Sequence, residues 1–396
     1  MDDILCSLKS LLESRKPPPE TLPTIQKCLS VFANYEGDRS LEQLPVLLEE
    51  LLISIIKPLF SSRATSSAYR ARFVDDSKKP WKDCATWSVD ILRWIVNQYG
   101  TLSPPLRKQA IDAQFSLFVP PILNLLDDQD LTLKQAGSDL LQILCNHIAD
   151  CKSGVFKHTG LTKVFEDCLA PNMLLLPSLT PEKESLQILS SLYPAYRALV
   201  KASFLTSSST PPSDPGKLIV LLPERTIASR QALDQHNKRQ AMLDRVLRSG
   251  ILAGYMHASE NVKIATLLVS EMSDVVAMMG ASSAKYLSTL LPLLRSILTN
   301  PLGIAHQPLL RCAAMAMQEL ILQCWPRIGE VWWQECLRAV VGLWLLLSEE
   351  DQSNTQELRD DAKGLIDLLL RIRGRLEARK ELSLLEEEYE NLKGLV

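Results

Sequence analysis

Four side chains come closest to a metal-ligand set: Cys145, His147, Cys151 and His158. Thiolate and imidazole donors of this kind suit zinc, held tetrahedrally. The spacing works against it, because Cys145 and His147 are two residues apart, about 200° around a helix axis, and cannot share an ion unless the helix unwinds. A second chemical candidate is the acidic run Asp127, Asp128 and Asp130, which could bind a divalent ion or supply paired carboxylates. It falls between two helical patterns, where aspartate more simply caps the following helix and meets its positive end. Arg371, Arg375 and Arg379 recur every four residues, a stripe that could grip phosphate or an acidic partner and that equally forms a solvated helix face. Gly250 and Gly254 have the GxxxG spacing of membrane-helix dimers, but Arg248 and His257 flank them, and close packing inside a soluble helix array is the better account.

The familiar catalytic signatures are missing. The 15 glycines form neither a GxGxxG nor a P-loop pattern, and there is no GxSxG and no HExxH. The expectation is a protein without catalytic site, cofactor or metal. Tryptophan is harder to dismiss: Trp325, Trp332 and Trp333 cluster around Pro326-Arg327, and Trp344 follows. Pro326 should end the helix before it and put part of the cluster at an inter-helix corner. Trp and Arg dominate binding hot spots when exposed, whereas in a helix stack Trp is more commonly core. The candidate partner-binding residues are therefore Trp325, Arg327, Trp332, Trp333, Arg371 and Arg375.

The elements that must position these residues are helical. Of 396 residues, 72 are Leu and only 15 are Gly. Straight-chain residues keep their rotamers in a helix while Gly loses most entropy there, so all-β folds are set aside. A 46% hydrophobic share supplies a sizeable core and excludes wholesale disorder. With 43 basic against 46 acidic residues, net −3, no electrostatic footprint for nucleic acid is present. Met1-Asp2-Asp3 opens without a basic segment, so no secretory signal is expected, and the apolar window Val331–Leu347 carries Glu335 and Arg338 and reads as a buried helix. Nine cysteines with no CxxC pair fit reduced thiols, and the expected location is cytoplasmic and nuclear.

Helical patterns are predicted over Asp2–Ser14, Glu20–Phe32 and Ser40–Phe60, followed by an exposed loop, Ser61–Pro80. Trp87, Ile91, Trp94 and Ile95 then form one apolar stripe. After that a layout recurs. Phe115–Leu126, interrupted at Pro120-Pro121, pairs with Leu131–Ile148; Met242–Met256 pairs with Val262–Met279; Tyr286–Leu298 pairs with Pro308–Trp325. Each second helix carries a basic residue two before an alanine: Lys134 and Ala136, Lys263 and Ala265, Arg311 and Ala313. A small residue there lets paired helices approach closely. Ser203–Gly216 is Ser/Thr/Pro-rich and is read as a flexible insertion. The final helix bears the stripe Leu365, Leu368, Leu369, Ile372 and Leu376, and an acidic tail, Leu382–Leu395, follows. The predicted organisation is residues 1–80, N-terminal helices and loop; 81–202, a first block of helix pairs; 203–230, the insertion; and 231–396, a second block. The expected fold is an all-α, HEAT-like α-solenoid of antiparallel helix pairs, with hairpins lacking true repetition as the alternative.

Several stretches carry a resemblance. Ile122–Leu144, Gly160–Leu189 (notably Phe165-Glu166-Asp167 and Pro177-Ser178-Leu179-Thr180-Pro181-Glu182) and Cys324–Ile328 resemble the Tel-two-interacting protein two family, particularly its fungal members. The resemblance implies a non-catalytic HEAT-repeat adaptor of the triple-T (TTT) co-chaperone complex. Its implied direct partner is Tel-two-interacting protein one, contacted through the C-terminal half, together with Tel two. The ninety-kilodalton heat-shock chaperone, the RuvB-like ATPase assembly and the phosphatidylinositol-kinase-related kinases of checkpoint and growth (TOR) signalling are implied indirectly. Neither nucleic acid nor membrane is an expected partner. The rival readings are a generic HEAT scaffold, such as a phosphatase regulatory or transport-receptor-type protein, and a helical enzyme with a dispersed site.

Overall fold

A computed structural model describes residues 43–60, 80–83, 85–204, 227–349, 352–373, 392, 394 and 395. The predicted helices Asp2–Ser14 and Glu20–Phe32, nearly all of the loop Ser61–Pro80, the insertion beyond Phe204, Arg375, Arg379 and most of the acidic tail lie outside them. Among the described residues every regular element is a helix and no strand occurs, so the fold is all-α. The chain divides into two compact units, Met1–Asn172 with Gln187–Leu222, and Met173–Leu186 with Pro223–Val396.

In the first unit, α1 (Leu44–Leu51) continues through a π-helical turn, Leu52–Ile56, into α2 (Lys57–Phe60). The helices α3 (Pro80–Asp83), α4 (Ala85–Gln98), α5 (Pro104–Leu126), α6 (Leu131–Asp150), α7 (Val155–Thr159) and α8 (Thr162–Leu169) follow. The unit is completed by α9 (Glu182–Ser203) from Gln187 on. The predicted stripe on α4 is core: Trp87, Ile91 and Ile95 are buried and Trp94 is half-buried.

The predicted break at Pro120-Pro121 does not occur. α5 runs unbroken for 23 residues, starting at Pro104, where the missing N–H of proline costs nothing. Inside the helix, Pro120 and Pro121 deprive the carbonyls of Ser116 and Leu117 of donors. Ser116 and Pro120 are exposed, so water reaches that side, while Phe118, Pro121 and Ile122 are buried and hold the helix to its neighbours. The approach of α5 to α6 depends on Gly137. A Cβ there would lie 2.9 Å from Leu125 Cβ and 3.0 Å from the Leu126 backbone nitrogen.

The second unit contains α10 (Ile227–Arg245), which passes through a π-helical turn, Val246–Leu252, into α11 (Ala253–Ala258). Then come α12 (Val262–Met279), α13 (Leu287–Leu298), α14 (Gln307–Arg327), α15 (Trp333–Ser348) and α16 (Gln352–Arg373). The periodicity gives α12 its observed bounds, starts α13 one residue early and starts α14 one residue late. Gly254 of the GxxxG pair lets α11 pack closely on α12, since a Cβ there would meet Leu268 Cδ1 at 3.1 Å.

The contacts between neighbouring pairs have a common sequence interval. Tyr286 donates to Asp244 at 3.0 Å, 42 residues away, and Arg311 pairs with Glu357, 46 residues away. Arg295 and Glu335 form an ion pair at 2.7 Å between α13 and α15. In the second unit these helices therefore touch their counterparts one pair further on. Ala136, Ala265 and Ala313 are all buried, as their small size predicts. Their basic neighbours share no common role: Lys134 caps α5 by donating to the Leu126 carbonyl at 3.2 Å, Lys263 is exposed, and Arg311 is drawn to Glu357 and Asp361 of α16.

Candidate interaction surface

Pro326 decides the local geometry around the tryptophans. Its ring cannot sit over the Leu322 carbonyl in a straight helix, so α14 bends two residues earlier, at Cys324, where φ is −119° and ψ 19°. The bend is held from the preceding pair: Ser283 Oγ lies 3.1 Å from Cys324 Sγ and donates to the Gly280 carbonyl at 2.7 Å. Beyond it the chain takes a π-helical turn, Ile328–Trp332, anchored by buried Ile328. Gly329 lies against α16, since a Cβ there would meet Ile372 Cγ2 at 2.8 Å.

The bend separates the tryptophans. Trp325 is 56% exposed, and Arg327 and Val331 are exposed beside it in sequence. Trp332 is half-buried. Trp333 is 2% exposed and belongs to the core, so its indole does not join the surface that the sequence cluster implied. The reason is helical phase: Trp333 shares the inward stripe of α15 with Cys336, Val340 and Leu343. Trp344 is also buried, with the Arg359 guanidinium 5.4 Å and the Lys363 ammonium 5.6 Å from its ring centre. Arg371 is exposed and engages Asp367 at 2.5 Å, one turn back on α16. Sequence reasoning missed Met315 and Leu322, which are exposed on α14. Both fall out of phase with the buried series Ala313, Met317, Leu320 and Ile321, and that was the available signal.

The other chemical candidates have local explanations. Asp130 accepts from the Thr132 backbone N–H at 2.8 Å and from its hydroxyl at 2.7 Å, capping α6, and these bonds hold its carboxyl below the usual range. Asp128 accepts from the Asp130 N–H at 2.9 Å and pairs with Lys82 at 3.1 Å. Cys145 is wholly buried, and burial pushes its thiol up. The His147 ring lies against Gly100, and that of His158 against Gly154. No group of three or more His, Cys, Asp or Glu side chains among the described residues could hold a metal ion. What the Trp325 region offers is an indole, aliphatic area and a guanidinium, which is the chemistry of protein recognition.

A family model described as the Tti2 family matches residues 4–305 of the chain. The chain belongs to the Tti2 family. The resemblance read from Ile122–Ile328 is thus borne out, although Trp325 lies past the matched stretch. Among curated relatives, TEL2-interacting protein 2 of Saccharomyces cerevisiae is 29% identical over 170 residues. That alignment takes in 39% of this chain and 40% of the relative, so this Tti2-family chain spans about two fifths of the relative's length. No solved structure matches it.

Proposed function

We propose that this Tti2-family chain is a non-catalytic adaptor subunit of the TTT co-chaperone complex, built from HEAT-like helix pairs. The carrying observation is the family match over residues 4–305, and the yeast relative's name, a protein that interacts with TEL2, points the same way. An all-α chain of paired helices that displays Trp325 and Arg327 is consistent with gripping another helical protein. In this reading the chain works in cytoplasm and nucleus. It binds Tel-two-interacting protein one directly through its C-terminal half, and Tel two with it. Through them it serves the ninety-kilodalton heat-shock chaperone, the RuvB-like ATPase assembly and the maturation of phosphatidylinositol-kinase-related kinases.

The test is purification of the tagged full chain from its own cells at moderate salt, with mass spectrometry of what co-elutes. Stoichiometric recovery of Tel two and Tel-two-interacting protein one, with large kinases at lower yield, is the expected result. Recovery of phosphatase or transport subunits in their place would overturn it.

A further inference from the structure

We infer that the outward face of α14 and the turn after it form a docking site for one short amphipathic helix of a partner protein, carrying a carboxylate opposite Arg327. Met315 and Leu322 are seven residues apart, hence two turns along one side of α14, and Trp325 follows three later; they are 54%, 48% and 56% exposed. At 1.5 Å per residue Met315 and Leu322 are about 10 Å apart, and Trp325 stands just past the bend at Cys324, so the row suits a partner helix of two to three turns. Three side chains in a row match a partner stripe at i, i+3 or i+4, and i+7.

Charge complementarity fixes the rest. Arg295 and Arg338 reach Glu335, Arg311 reaches Glu357 and Asp361, Arg371 reaches Asp367, and Arg359 lies over Trp344. Arg327, exposed at the end of the row, makes no ion pair among the described residues. Within this stretch it is the arginine left for an outside carboxylate, and a planar guanidinium beside an indole is well suited to holding one. A single helix, rather than a broad surface, matches the extent of the row. Glu330, one turn further on, is exposed and also unpaired among the described residues, and would face a basic residue of the same helix.

This inference rests on the adaptor reading only for the choice of partners to co-express. The experiment places benzoylphenylalanine at Leu322 of the full chain, co-expressed with Tel two and Tel-two-interacting protein one, and maps the photo-crosslinked peptide by mass spectrometry. The expected peptide is a helical segment of another protein with that apolar spacing and an Asp or Glu beyond it. Trp325→Ala and Arg327→Glu should each reduce the crosslink about tenfold or more without lowering the chain's melting temperature. Replacing the partner carboxylate by Arg should restore the Arg327→Glu chain. A crosslink to a second copy of this chain, a peptide without the pattern, no crosslink, or variants that crosslink as wild type would each overturn the inference. If the mapped helix has the pattern but belongs to neither co-expressed subunit, the docking site stands and the adaptor reading falls.

Discussion

Asp130 shows how much one side chain of this chain can carry without chemistry of its own. Its carboxylate satisfies two donors at the start of α6, so Asp130→Ala should lower unfolding stability by about 1 kcal/mol in urea titrations, and Asp130→Ser should keep most of it. His147 is the opposite case, a group that is better off neutral. Burial first, and the Arg107 guanidinium second, hold its imidazole below the ordinary 6.5, against a smaller opposing pull from Asp150. The unfolded chain therefore takes up the proton more readily than the folded one. Stability is full above about pH 6.5 and falls as the pH drops below it toward the lowered folded value. Unfolding measured from pH 7.5 to 5 should show this slope, and His147→Leu should flatten it. A slope equal in both chains would mean that another group carries it.

At the scale of elements, α13 and α15 depend on an absence of atoms. A Cβ on Gly342 would lie 2.5 Å from Thr299 Cγ2, so the Thr299 side chain or the helices would have to shift. Gly342→Ala should cost about 1–3 kcal/mol, and Thr299→Ser, which removes that methyl and keeps the hydroxyl bond to the Arg295 carbonyl, should recover part of it in a double-mutant cycle. That clash belongs to the pairing of two helices, and neither sequence segment reveals it alone. The same division marks what could be read beforehand. α12, its turn and α13 were legible because their apolar residues repeat at helical spacing and polar residues punctuate them. Pro120-Pro121 misled, because a helix clamped by buried Phe118 and Ile122 tolerates two lost donors. The tryptophan cluster was legible as a cluster but not as a surface: three neighbouring indoles point three ways once Pro326 bends the chain. Met315 and Leu322 were hidden among leucines and methionines that do form core.

For the molecule as a whole, the adaptor reading makes a simple demand on thermal melting. Adding ATP with magnesium should leave the melting temperature of the purified chain unchanged, while co-purified partner subunits should raise it; stabilisation by nucleotide alone would argue for an enzyme. The two units add a constraint of a different kind, because each is assembled from two separated stretches of sequence. Met173–Leu186 belongs with residues from Pro223 onward, yet Gln187–Leu222 belongs with what came before. During synthesis, Leu176 thus leaves the ribosome well ahead of Gly254, whose Cβ position lies 3.7 Å from it. At roughly 5–20 residues per second that interval is several seconds in which apolar side chains stay uncovered on a nascent chain. A protein proposed to assist the maturation of others thereby has its own window of exposure during translation, and cutting it after Leu186 or after Leu222 for expression would make that window permanent.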